Sequence, residues 1–167
     1  KALQNLSSLG LDTPENISQS DMEVLRDAIR PAGFFKQKSV YLKEIAAFFV
    51  EHEAEYSRKA SEIELKKRRD KLLAVKGVGR ETADSILLYA FRQPIFVIDA
   101  YTRRMAGRHL GIDGALPYDE LQRIFMNALP REVQIYNEYH ALIVRLCKES
   151  CLKRGCGEIC RHRFRNF

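Results

Sequence analysis

In the stretch Leu72-Leu73-Ala74-Val75-Lys76-Gly77-Val78-Gly79-Arg80-Glu81-Thr82-Ala83-Asp84, helical spacing of apolar residues breaks off at a Gly-x-Gly turn and resumes directly after it. Glycine lets a backbone turn tightly and approach a ligand with no side chain in the way. The helix restarting at Arg80 opens with unpaired N–H groups and a positive dipole end, which suits a phosphate. Alone, such a turn reads first as a bare helix–helix corner.

The pattern on both sides is helical. Ala83, Ile86, Leu87 and Ala90 share one face of a helix expected over residues 80–91. Upstream, Ser61 with Glu64 makes a capping box for a helix running to about Val75, and Ser20 with Glu23 makes another for a helix stopping near Pro31 and Gly33. Between them, Val40, Tyr41, Ile45, Phe48 and Phe49 recur at helical spacing over residues 37–56. Downstream, residues 94–98 are the one extended apolar run, too short and solitary for a sheet. Asp99 then caps a helix ending at Gly111, and helices follow over residues 118–129 and 131–150. The expected fold class is all-α. Ala2, Leu3, Leu6 and Leu9 look like the end of an amphipathic helix whose first turns are absent, so an N-terminally truncated chain is expected.

The chain has 167 residues, 46% hydrophobic and 30% charged, which suits one ordinary domain or two small lobes. No apolar run reaches the ~20 residues of a membrane helix, and residues 1–10 carry no signal-peptide pattern. The net charge of +6 is uneven: from Arg145 on, seven basic residues (Arg145, Lys148, Lys153, Arg154, Arg161, Arg163, Arg165) face two acidic ones (Glu149, Glu158), leaving +5 there. That favours either a polyanionic partner or a solvated basic tail. All four cysteines, Cys147, Cys151, Cys156 and Cys160, lie in the same tail, a clustering that points to metal in a reducing compartment more than to disulfides.

The pairing of the Gly77-Val78-Gly79 hairpin with Pro94-Ile95-Phe96-Val97-Ile98-Asp99-Ala100-Tyr101-Thr102-Arg103-Arg104 resembles the helix-hairpin-helix (HhH-GPD) DNA glycosylase superfamily, the group of endonuclease III and the alkyl-base glycosylases. The likeness runs from about Leu3 to Cys160. It implies two helical lobes sharing a DNA-binding cleft, here residues 1–92, with the hairpin motif at about 70–91, and residues 93–167, with the catalytic-aspartate helix and the Cys-rich basic tail. It also implies that Gly77, Val78 and Gly79, helped by Arg80 and Thr82, grip DNA phosphates. Asp99 falls at the family's catalytic aspartate, a role compatible with its being a helix cap. A fixed carboxylate stabilises the positive charge that builds on the sugar as an N-glycosidic bond breaks, and it can orient or deprotonate water. The partner implied is double-stranded DNA carrying damaged bases, bound by a monomer away from membranes, and the location is cytoplasmic, on the nucleoid, if the source is prokaryotic.

Departures narrow the expectation. Endonuclease III-type enzymes carry, just after Gly-x-Gly-Arg, the lysine that forms the Schiff base for strand cleavage. Here that position is Glu81, which cannot form an imine, and Lys76 lies across the turn. Gly77–Ala90 looks more like the 3-methyladenine glycosylase branch, which implies monofunctional hydrolysis of alkylated purines. The alternatives are an endonuclease III-like glycosylase/AP lyase and a non-catalytic DNA-binding module. Phe34, Phe35, Tyr89 and Tyr101 are aromatic candidates for stacking on a cationic base, and each also suits a core. The resemblance implies that the family's wedge residue and part of its base pocket fall on helices before Lys1. Many relatives end in Cys-x6-Cys-x2-Cys-x5-Cys around a [4Fe–4S] cluster, whereas this chain has Cys147-x3-Cys151-x4-Cys156-x3-Cys160. Four such thiols can hold iron–sulfur or zinc, or stand empty. His140 reads as a packing or hydrogen-bonding residue beside this loop, and Arg161, Arg163 and Arg165 as phosphate contacts.

Overall fold

The computed structural model describes residues 1–157 and Cys160. Arg161, Arg163 and Arg165, expected on phosphates, lie outside the described residues. Contacts divide the chain into two units, Lys1–Gly79 and Arg80–Phe167.

The first unit holds α1 (Ala2–Ser8), α2 (Pro14–Gln19), α3 (Met22–Ile29), a 3-10 turn (Arg30–Ala32), α4 (Phe35–Tyr56) and α5 (Glu62–Ala74). Leu6, Leu11, Leu25, Ala28 and Ile29 form its core, with Ile17, Phe35 and Leu42 against it. The Ser61–Glu64 capping box is present and starts α5. The box expected at Ser20 is not. Asp21 is the N-cap of α3, taking the N–H groups of Glu23 and Val24, while the Ser20 hydroxyl donates to Ile17 O at 2.8 Å. A carboxylate holds two orphan N–H groups better than a hydroxyl, so the helix starts one residue later than expected. The buried Tyr56 hydroxyl donates to Arg68 O at 2.7 Å, and Arg68 Nη1 donates to Arg58 O at 2.7 Å, which ties α5 to the end of α4.

The second unit holds α6 (Arg80–Ser85), a π-turn (Ile86–Ala90), α7 (Ala100–His109), α8 (Tyr118–Ala128), α9 (Val133–Glu149) and a small antiparallel hairpin, β1 (Cys151–Leu152) with β2 (Gly155–Cys156). The helix expected through residues 80–91 is thus not regular: Phe91 N–H bonds to Ile86 O at 3.2 Å, one residue wider than an α-turn. The apolar run before Asp99 is no strand. Ile95, Phe96, Val97 and Ile98 are each buried; Phe96 stacks on Phe125 at 4.9 Å and meets Tyr136 edge-on at 5.6 Å. Buried Gln122 donates to Phe96 O at 2.6 Å and to Asp84 at 2.7 Å, so α6, the run and α8 share one satisfied polar contact. Among the described residues, no helix is long and apolar enough to cross a membrane.

Candidate active site and metal centre

Asp99 stands where the pinned run ends. It is the N-cap of α7, its Oδ1 accepting the Thr102 N–H at 2.7 Å. Its Oδ2 lies 3.6 Å from His140 Nε2, an ion-pair distance longer than a normal hydrogen bond, and the two side chains are 13% and 10% exposed. On the other edge of the ring, His140 Nδ1 meets the Tyr89 hydroxyl at 2.5 Å. Burial and the Asp99 charge push the Tyr89 phenol up to about 12, so it keeps its proton. A protonated phenol donating to Nδ1 leaves Nε2–H facing the carboxylate. Burial pushes the Asp99 carboxyl up, but His140 and the Thr102 N–H together outweigh it and hold the group below the usual carboxylate range. Asp99 is therefore an ionised, nearly buried carboxylate, oriented by the Thr102 N–H and faced by the His140 ring.

Glu81 is in electrical contact with this group. Its carboxyl is pushed up, first by withdrawal from water and then by Asp99, against the pull of His140 and Arg103. Much of the residue is still exposed, so the effect is modest. Because a raised folded pKa means that ionisation disfavours the fold, the sign is set: Glu81→Gln should be slightly more stable than wild type at neutral pH. The gap should close as pH falls below 4.5, where glutamate is neutral in both states. Melting temperatures of both proteins across pH 3.5–8 check this, and an advantage unchanged at the acid end would refute it.

At the hairpin, Gly77 adopts φ +87°, and a Cβ there would sit 2.1 Å from the Tyr41 ring on α4. Gly79 has nothing within 4 Å of that position. Gly77, Gly79, Arg80 and Thr82 are exposed and Val78 is buried. Arg80 pairs with Asp119 at 3.0 Å in an exposed bridge, which an arriving phosphate can replace. Of the aromatic candidates, Phe34 is 84% exposed at φ +49° and Tyr89 is 43% exposed. Phe35 and Tyr101 are half-buried beneath the guanidinium groups of Arg30 and Arg104.

The tail brings together Cys151, Cys156 and Cys160, but its fourth nearby donor is His109, the last residue of α7. The four ligand atoms all lie within 4.8 Å of one another. Cys147 is not of that group; its thiol donates to Tyr101 O at 3.5 Å. The three clustered thiols and the imidazole are compatible with metal binding and fit the iron–sulfur cofactor expected from the sequence. Sequence reading missed two partners. Nothing local tied His140 to Asp99 or His109 to the cysteines, because tertiary packing makes both pairings.

The chain belongs to the HhH-GPD superfamily of base excision DNA repair proteins, whose profile matches residues 1–131. Its class is that of a base-excision DNA glycosylase. It is 42% identical over 161 residues to a protein of Methanocaldococcus jannaschii provisionally named a DNA repair glycosylase, covering 96% of this chain and 73% of the relative. It is 32% identical to an endonuclease III of Sulfolobus acidocaldarius, covering 96% and 72%. Its fold matches crystalline H. pylori 3-methyladenine DNA glycosylase bound to 1,N6-ethenoadenine, with TM-score 0.69 and 27% identity over 89% of this chain and 76% of that one.

Proposed function

We propose that this protein is a monofunctional glycosylase that hydrolyses the N-glycosidic bond of alkylated purines, such as 3-methyladenine, in duplex DNA. The observation that carries the reading is Asp99: ionised, 13% exposed, hydrogen-bonded by the Thr102 N–H and faced by His140 at 3.6 Å. Such a carboxylate needs no rearrangement to oppose the positive charge that develops at the anomeric carbon. A purine alkylated on nitrogen already carries positive charge and leaves readily, so the reaction needs little more than charge stabilisation and a water that Asp99 orients. The base must first leave the stack, at a cost of a few kcal/mol that is least where pairing is damaged. Gly77 and Gly79 are exposed and present backbone to the phosphates, with the buried Val78 anchoring the turn between them and Arg80 and Thr82 beside them. In this reading the protein acts as a monomer, on the nucleoid if its source is prokaryotic.

The absence of lyase chemistry rests on Glu81. Strand cleavage through a Schiff base needs an amine to attack the sugar, and a carboxylate cannot form the imine. Borohydride treatment with abasic duplex DNA should therefore trap no covalent adduct on the wild-type protein. Glu81→Lys, which places an amine beside Asp99, should gain one, and a wild-type adduct would show that another amine serves and return the protein to the glycosylase/lyase alternative. Base release itself is tested with methylated duplex DNA and Asp99→Asn.

A further inference from the structure

α7 is anchored at both ends: Asp99 caps its start and His109 closes it. His109 Nε2 lies 3.4 Å from Cys151 Sγ and 3.7 Å from Cys156 Sγ. Around a tetrahedral ion with zinc-like bond lengths, a nitrogen and a sulfur donor stand about 3.6 Å apart, so the imidazole is already at ligand spacing from two thiols. Cys151 and Cys160 are fully buried, and Cys151 pairs with Cys156 across the β1–β2 hairpin, which turns both thiols towards His109. Three thiolates around a divalent ion leave one net negative charge in a buried site. The cation to balance it is present: Arg108 Nη1 lies 3.6 Å from Cys151 Sγ and donates to Leu152 O at 2.6 Å, while Nη2 donates to Lys153 O at 3.0 Å. Cys147 touches Cys151 but stands outside the four mutually close donors, and its thiol donates to a backbone carbonyl of α7.

We propose that His109, Cys151, Cys156 and Cys160 form a histidine-ligated centre for a thiophilic metal, with Cys147 outside it, and that this centre clamps the C-terminal end of the helix that carries Asp99. The ligand chemistry is one imidazole and three thiolates, which a zinc ion or an iron–sulfur cluster can satisfy. The inference does not depend on which base is excised, since its readout is metal content.

The test uses the full chain, produced and purified without oxygen in media supplied with zinc and with iron, and analysed for metal and acid-labile sulfide per chain. One zinc per chain identifies an ion; iron with sulfide and visible absorption identifies a cluster; either outcome supports the centre. His109→Ala should lose most of the bound metal, Cys147→Ser should keep it, and His109→Cys, which restores four donors, should regain it. Circular dichroism of each variant separates ligand loss from unfolding, and the His109→Cys rescue keeps the test decisive if His109→Ala folds poorly. Wild-type protein free of metal in both media would overturn the proposal, as would a folded His109→Ala that retains full metal or a Cys147→Ser that loses it.

Discussion

Asp99→Asn is expected to lower release of 3-methyladenine from methylated duplex DNA by about 100- to 1,000-fold, the loss typical of removing one preorganised electrostatic group, while leaving the fold intact. The two effects separate because asparagine is as good an N-cap as aspartate. An amide oxygen can still take the Thr102 N–H, which now bonds at 2.7 Å, but it offers no negative charge to the sugar. Asp99→Ala removes both roles and should also cost about 0.5–2 kcal/mol of stability. Release rates and melting temperatures of the three proteins check this together. The pH profile adds a signature. Asp99 lies below its ordinary 3.8, so its carboxylate persists as pH falls through that value, and both activity and the stability it contributes are lost only below it. An acid limb above pH 4.5 would implicate Glu81 instead. Equal release by wild type and Asp99→Asn would remove the aspartate from the chemistry.

Gly77→Ala should be the most damaging single substitution in the hairpin, costing roughly 2–4 kcal/mol. Two penalties add. At φ +87° any side chain is strained, and the new methyl would lie within 2.1 Å of Tyr41 ring atoms. Ring rotation does not clear the clash, since the nearest atom is Tyr41 Cγ, at the root of the side chain rather than its flexible end. Gly79→Ala makes the contrast: with open space at its Cβ and no left-handed backbone, it should change stability by less than about 0.5 kcal/mol. If the hairpin approaches phosphates through its backbone, Gly79→Ala should still weaken duplex binding by about tenfold, because the added methyl holds the phosphate away from the backbone N–H groups. Denaturant melts and binding titrations at fixed salt distinguish the two glycines. Equal stabilities would show that Tyr41 does not lock the turn.

What could be read from the chain alone was local. Capping and glycine turns are short-range patterns, so the Ser61–Glu64 box, Asp99 as a helix cap and the Gly77 turn were legible in the chain. Where two neighbours could cap the same helix, the pattern slipped by one, and Asp21 took the place expected for Ser20. The π-turn at Ile86–Ala90 left no trace in the spacing, because the same apolar residues serve a regular helix equally well. His140 and His109 were beyond reach for a different reason. A histidine on an apolar helix face is as well explained by core packing as by a partner, and only the packing of α9 and the β-hairpin reveals Asp99 beside one and three thiols beside the other.

Glu81, Tyr89, Asp99, Thr102 and His140 all belong to the stretch that begins at Arg80. The carboxylate and its neighbours thus lie within one unit, so substitutions confined to the first 79 residues leave its hydrogen-bonding partners in place.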